Sequence, residues 1–280
     1  MKEKIKTKNK IIRKKKDEFQ ELIEKSGHNL HLEVAELLRS TGWEVEISPY
    51  YYDEIANKPR EIDIIAKKLI KVRDNPDIPS EPDIDRYKIN LFIECKYLDG
   101  EIVFWSDETS SDKIKEAINN SILELNINSD DFRENHHYLK HSWRKITKLF
   151  ETKQKEKGSN QDIIFSAFTQ AIKALICFRD QKREIGIYYP MVVYEPKGKT
   201  ALFSKEKPAG YDLIDNFLLE INYTHKKLTE PILKTETFLV DFINKDDLDL
   251  FLRNDLQEEI REINEILRFK SYSKKRSNKV

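Results

Sequence analysis

Glu94 and Lys96 stand two residues apart at the end of an apolar run, Ile89 to Tyr97. In a strand, residues i and i+2 point to the same side, so a carboxylate and an ammonium share one face while Ile93 and Cys95 pack on the other. Unpaired charge is expensive on a buried face, so this placement calls for a chemical reason. Upstream, Asp63 lies in Glu61 to Ala66, pointing away from Ile62 and Ile64, and Glu33 lies at the edge of an apolar helical stripe. If the strands carrying Asp63 and Glu94 pair, their carboxylates sit side by side with Lys96 next to them. Two close carboxylates repel, and one is protonated unless a cation joins them. Hard oxygen ligands with room for water suit Mg²⁺ or Mn²⁺. Such a cation polarises a phosphoryl oxygen and lowers the pKa of a bound water. Lys96 would orient or deprotonate that water and offset charge on phosphorus.

The elements that must position these groups follow from periodicity. Asp17 to Ser40 reads as helix, broken near Ser26-Gly27, with Leu30, Val34, Leu37 and Leu38 on the apolar face of its second part and Gly42 as C-terminal cap. Trp43 to Ser48 alternates like a half-exposed strand, and Pro49 with Tyr50, Tyr51 and Tyr52 reads as a loop. Glu61 to Ala66 is the next strand. Lys67 to Arg86, with Pro76, Pro79 and Pro82, is an insertion before the Ile89 strand. Glu101 to Trp105 continues that strand. Ser111 to Leu125 and Phe132 to Thr152 read as helices, Lys153 to Asn160 as a linker, and Asp162 to Phe178 as an amphipathic helix. Gly186 to Tyr194 is a strand that Pro190 marks as an edge or a bulge. Ala201 to Phe203, Phe217 to Tyr223 and Thr237 to Ile243 are further strands, and Asp246 to Leu267 a closing helix.

The stretches N-L-H-L-E-V-A-E-L-L-R-S-T-G-W-E-V-E with Glu33, E-I-D-I-I-A with Asp63, and F-I-E-C-K with Glu94 and Lys96 together resemble the PD-(D/E)XK, or restriction-endonuclease-like, nuclease superfamily. The first stretch looks most like Mrr-type restriction enzymes and archaeal junction resolvases. The resemblance covers residues 27–97, and extends more loosely to the helix at 162–178 and the strand at 186–194. It implies an α/β fold, a three-layer αβα core around a central mixed sheet (αβββαβ), with a helical insertion at 106–160. It implies Mg²⁺-dependent hydrolysis of DNA phosphodiester bonds, of a restriction or defence type. Asp63 and Glu94 would be metal ligands, Lys96 the catalytic lysine and Glu33 an outer acid of the metal site. Two departures stand out: no proline directly precedes Asp63, although Pro59 is near, and the Asp63–Glu94 gap exceeds a tight hairpin. Three other readings stay open: a structure-specific repair or recombination nuclease, a nuclease-like fold kept as a silent nucleic-acid-binding module, and a soluble α/β protein whose acids are merely surface charge.

E-x-K alone is a weak signal in a chain that is 36% charged. Glu151-Thr-Lys153 sits at a polar helix end, where a solvated pair explains it. Glu195-Pro-Lys197 follows an apolar strand and is a true rival, but no aspartate-bearing strand closely precedes it. Gln170 and Lys173 lie off the apolar face of their helix; the same resemblance implies that they could contact phosphate, and a plain solvent face explains them equally. Arg144 and Lys145, in a basic and aromatic stretch, could rest on a DNA backbone. His137 and His141 are spaced as a metal pair, but with no third ligand a surface helix explains them better. Tyr50 to Tyr52 could stack on bases or simply pack. The formal charge is zero, with 50 basic and 50 acidic residues, which argues against a simple polybasic binder. Basic residues concentrate in an N-terminal segment (1–25) and a tail (269–280), flanking one domain at 26–268. Cys95 and Cys177 read as core thiols, as expected in a reducing cytoplasm. No apolar run is long enough to span a membrane. Cutting both strands of a duplex would favour a homodimer.

Overall fold

The computed structural model describes residues 28–53, 56–72, 84–106, 110–133, 135–140, 146–152, 160–182, 184–204, 210–226 and 232–277, with single positions at 19 and 23. Helix α1 (His28–Ser40) forms because Leu30, Val34 and Leu38 recur on one face and are buried there. It stops before Gly42, whose φ of 84° lies in the left-handed region that glycine adopts without strain. Strand β1 (Glu44–Ile47) follows. Next comes a two-stranded ribbon in which β2 (Tyr50–Asp53) pairs antiparallel with β3 (Lys58–Glu61). The tyrosine run is therefore strand, not loop: Tyr50 and Tyr52 face outward while Tyr51 packs inward, the period of two that a strand imposes.

Strand β4 (Ile64–Lys71) pairs antiparallel with β5 (Arg86–Leu98), from Ile64 opposite Ile93 to Lys71 opposite Arg86. The stretch expected as one strand, Glu61 to Ala66, is split. Glu61 ends the ribbon, and Ile62 N–H donates to the Pro49 carbonyl (3.1 Å), which leaves Asp63 at a bend before β4. The inserted residues 73–83 lie outside the described residues.

Strand β6 (Ile102–Ser106) does not extend β5. In the main sheet the order is β1-β4-β5-β9-β13-β12-β8-β6-β10-β11, so β9, β13, β12 and β8 lie between them. Those later elements are β8 (Ile146–Thr152), β9 (Gly186–Pro196), β10 (Thr200–Ser204), β11 (Tyr211–Leu213), β12 (Asn216–Lys226) and β13 (Leu233–Asn244). A short β7 (Ile122–Leu123) also pairs with β9. The sheet is mixed: β5, β9 and β13 run parallel, and β4–β5 and β12–β13 antiparallel. Helices α2 (Ser111–Ser121), α3 (Asn160–Lys182) and α4 (Leu256–Ser277) complete the fold. Among the described residues, no helix is long and apolar enough to cross a membrane.

Three further expectations are corrected. Phe132 to Thr152 is not a helix: it holds a 3₁₀ turn at His137–Leu139 and then β8, because pairing with β6 and β12 outweighs local propensity. The segment 106–160 is therefore mixed rather than helical. Pro190 sits in a central strand, not at an edge or a bulge. One side of β9 pairs with β5 throughout; the other pairs with β7 at Gly186–Ile187 and with β13 from Met191. Pro190 falls in the gap between those two ladders, where its missing N–H costs no pairing. Gly186 is required where β9 meets β5, since a Cβ there would collide with the Lys88 carbonyl.

Strand β5 is buried on both faces, as its unbroken apolar run requires. Ile89, Leu91, Ile93 and Cys95 face a core filled by Leu30, Val34 and Leu38 of α1, Ile118 of α2, and Leu256, Ile260 and Ile263 of α4. Phe92 faces the other core, with Tyr51, Val192, and Phe168, Ile172 and Leu175 of α3. Helices thus cover both faces of the sheet, α3 on one and α1, α2 and α4 on the other. Glu94 and Lys96 alternate onto the α3 face.

Candidate functional site

The β4–β5 ladder sets the first contact. Ile64 pairs with Ile93, so the next residues along the two chains, Asp63 and Glu94, meet across the end of the pair. Asp63 is held by its backbone, its carbonyl accepting the Ser48 N–H at 2.8 Å. Its side chain gathers three groups on one oxygen. Oδ2 accepts the Cys95 backbone N–H (2.8 Å) and a proton from Lys96 Nζ (3.0 Å), and lies 3.3 Å from His31 Nε2 on α1. Lys96 Nζ is also 2.6 Å from Glu94 Oε2.

Glu94 differs from Asp63 in kind. It is 1% exposed, its Oε2 meets the Lys96 ammonium, and its Oε1 has no hydrogen-bond partner among the described residues. Burial is the largest influence on Glu94, and the neighbouring Asp63 charge adds to it; against the opposing pull of Lys96, its carboxyl is pushed up to about 8. Burial would raise Asp63 too, but His31, Lys96 and the Cys95 amide outweigh it and hold its carboxyl well below the usual range. For Lys96, burial would lower the ammonium, yet Glu94 and Asp63 win and keep it above its usual value. The two acids thus have opposite characters: an ionised Asp63 beside a Glu94 that holds its proton near neutral pH.

The other sequence candidates lie apart from this trio. Glu33 is more than half exposed and reaches Lys245 (3.2 Å), which also holds Glu195 (3.0 Å). The rival Glu195-Pro-Lys197 is occupied elsewhere, with Lys197 Nζ 4.9 Å from the Tyr97 ring. Gln170 accepts from Ser166 on its own helix, and Lys173 Nζ donates to Asp53 Oδ2 at 2.8 Å. Among the described residues, neither bonds to Asp63, Glu94 or Lys96. Arg144, Lys145 and His141 lie outside the described residues.

His31 is the residue that motif reading passed over. Its signal was present: His31, Ala35 and Leu38 fall at i, i+4 and i+7, and the last two are fully buried, so His31 points the same way. Glu33, two positions on, turns away. His31, Asp63 and Cys95 bring possible ligand atoms within 4.8 Å of one another. Burial raises the Cys95 thiol well above its usual value, so it is no thiolate donor. The groups there that could serve a hard cation are therefore the Asp63 and Glu94 carboxyls.

A second cluster of titratable groups lies in the opposite core. His136 and His137 are not on a surface helix but fully buried, with Glu259 and Asp241. His137 Nδ1 is 2.6 Å from Glu259 Oε2, and its Nε2 is 3.2 Å from Asp241 Oδ1. Tyr138 N–H donates to His136 Nδ1 (3.2 Å), and the Tyr189 hydroxyl, beside His136 Nε2, donates to Glu259. Burial would lower His137, but Asp241 and Glu259 outweigh it and hold its imidazolium up to about 10. Burial pushes His136 down to about 4. His136 and His137 hold Glu259 down to about 2 against burial, while burial pushes Asp241 up. The ring nitrogens are spent on protons already in place, so the cluster reads as a structural network and not as a metal cage.

Comparison of the chain with known protein families, with curated proteins and with solved structures finds no match.

Proposed function

We propose that this protein is a metal-dependent DNA endonuclease with a restriction-endonuclease-like core. The observation that carries the reading is the meeting of Asp63, Glu94 and Lys96, with Lys96 Nζ 3.0 Å from Asp63 and 2.6 Å from the buried Glu94. The order of elements supports it: α1, β1, β4, β5, α3 and β9 spell αβββαβ, and β1-β4-β5-β9 are neighbours in that order in the sheet. Glu94 sits in the carboxyl half of β5, within its parallel pairing with β9, toward the side where open α/β sheets place their ligands.

Asp63 and Glu94 would hold Mg²⁺ or Mn²⁺, which supplies Lewis-acid polarisation of a phosphoryl oxygen and a more acidic bound water. Asp63 is ionised and already turned toward the site by its backbone tie to Ser48. Lys96 stays charged at neutral pH, so it is a poor base. Its role is to donate to a non-bridging phosphate oxygen and to balance the charge that builds on it. His31 orients Asp63 from the α1 side.

Plasmid cleavage tests the reading. Purified protein is incubated with supercoiled DNA, methylated and unmethylated, in Mg²⁺, Mn²⁺ or EDTA, beside Lys96→Ala. Metal-dependent nicking or linearisation that falls by about 10²- to 10³-fold in the variant supports it, the scale expected for losing one charge-stabilising group. Cleavage that persists in EDTA, or is unchanged in Lys96→Ala, removes this site from the reaction.

A further inference from the structure

The ribbon that leads into the candidate site carries a cation with charge to spare. Arg60 lies three residues before Asp63, so their backbones are at most about 11 Å apart. In the ribbon Tyr51 pairs with Arg60 and Asp53 with Lys58, so these four side chains share one face. That face turns toward α3: Tyr51 packs in one core with Phe92 of β5 and Ile172 of α3, and Lys173 of α3 reaches Asp53. It is the side of the sheet onto which Glu94 and Lys96 also alternate. Burial pushes the Tyr51 hydroxyl up, and the charges of Asp53, Glu94 and Arg60 all act on it, so the ribbon and the β5 site lie in one electrostatic neighbourhood.

The charges on that face do not balance. Asp53 is 4% exposed, and both its oxygens are already served: Oδ1 accepts the Ala56 N–H at 3.0 Å, and Oδ2 accepts from Lys173 Nζ at 2.8 Å. Arg60 Nε leans on the same Oδ2 at 3.5 Å without making a hydrogen bond. Two cations thus stand against one carboxylate, and among the described residues Arg60 has no other acid within ion-pair reach. Its outer nitrogens, Nη1 and Nη2, make no hydrogen bond among those residues and are not buried; the side chain is 38% exposed. The contact with Asp53 holds the guanidinium in place. Its planar fork is left to meet an anion through parallel N–H bonds, the geometry that phosphate oxygens accept. We propose that Arg60 binds a backbone phosphate of the DNA strand beside the one cleaved, and so holds that strand against Asp63 and Glu94. The inference rests on the nuclease reading, since it names a substrate contact of the same site.

Fluorescence anisotropy of the full chain with a short labelled duplex tests it, in EDTA so that binding is read without cleavage. Arg60→Ala should bind about tenfold more weakly, the scale of one lost hydrogen-bonding charge. The slope of log affinity against log salt should become shallower by about 0.9, the share of one phosphate. The loss should be equal on two unrelated sequences, because a phosphate contact carries no sequence information. Arg60→Lys should keep the slope and recover part of the affinity, as a point charge without the fork. Arg86→Ala, at a side chain 66% exposed at the opposite end of β5, should change neither. Urea unfolding checks each variant, and Arg60→Gln, which keeps the stem, decides if Arg60→Ala does not fold. Unchanged affinity and slope in Arg60→Ala, an equal loss in Arg86→Ala, or a loss confined to one sequence overturns the proposal. So does no duplex binding by the wild type, or inorganic phosphate that binds it as tightly as the duplex. Binding that depends on Arg60 without any cleavage in Mg²⁺ sinks the nuclease reading and leaves the phosphate contact standing. Cleavage with binding unchanged in Arg60→Ala does the reverse.

Discussion

Glu94→Gln should make the metal-free protein more stable, and increasingly so as pH rises. Glu94 is 1% exposed, and its carboxyl titrates near about 8 in the fold against an ordinary 4.5. Between those values the folded chain keeps a proton that the unfolded chain has released. The stability is therefore fully present below 4.5 and lost as pH rises through 8, the reverse of a carboxylate with a depressed pKa. Each pH unit in that window is worth about 1.4 kcal/mol. By pH 7 the wild type has given up about 3 kcal/mol that a glutamine, which does not titrate, retains. Glutamine has nearly the shape of the protonated acid, and Lys96 keeps Asp63 at 3.0 Å, so little else is disturbed. The assay is urea unfolding in EDTA from about pH 5 to 9, with wild type and variant side by side. The two stability curves should diverge between pH 5 and 8, with the variant above. Parallel curves, or a variant that falls below the wild type as pH rises, would mean that Glu94 and Lys96 form a settled ion pair, and the argument for a strained cation site would be lost.

Further expectations concern the other charged groups and the sheet. In the Glu94→Gln background, thermal stability should peak near pH 6.5. On the alkaline side it falls between 6.5 and about 10, where the unfolded chain has released a proton that His137 keeps; on the acid side it falls below 6.5, where the unfolded chain takes a proton that buried His136 refuses down to about 4, and again below 4.5 as pH approaches the Glu259 value of about 2. A flat profile from pH 4 to 7 would contradict the burial of a neutral His136. His137→Leu strands two carboxylates in the core and should cost about 3–5 kcal/mol in urea unfolding; a cost under about 1 would mean that they are not ionised there. His31→Ala should raise the Asp63 pKa in a carboxyl NMR titration while Glu33→Ala leaves it alone, since only His31 is in contact with it. Gly186→Ala should destabilise by about 1–3 kcal/mol, because its Cβ pushes β9 off the Lys88 carbonyl; wild-type stability would show that the two strands have room to give.

The meeting of Asp63 with Glu94 and Lys96 was legible because it needs only two facts, strand periodicity and antiparallel pairing of neighbouring segments. The same local logic found α1, α3, β12 and β13. It failed where distant partners decide. Ile146 to Thr152 lacks a clean alternation, with Ile146 and Thr147 both buried and Leu149 exposed, and the basic and aromatic residues before it drew the helix reading across it. The Tyr50–Tyr52 run lacks an adjacent strand pattern, since Lys58–Glu61 is polar and holds Pro59. His136 and His137 looked solvated because their counter-charges, Asp241 and Glu259, come from β13 and α4, far along the chain. Motif reading followed the acid, Glu33, when the helix face pointed to His31.

The sheet order also imposes a schedule. β5 is made early, but its neighbour β9 is made only after β6, α2, β7, β8 and α3, and β13 later still. Until β9 lands on it, the strand carrying Glu94 has one pairing edge exposed and its acid is hydrated like any surface carboxylate. Closing so long a loop is an entropic barrier, and it slows folding. The burial that sets Glu94 apart from a surface carboxylate thus depends on a pairing step with a strand made much later in the chain. A nascent chain halted before that step would carry the full motif with ordinary acids in it.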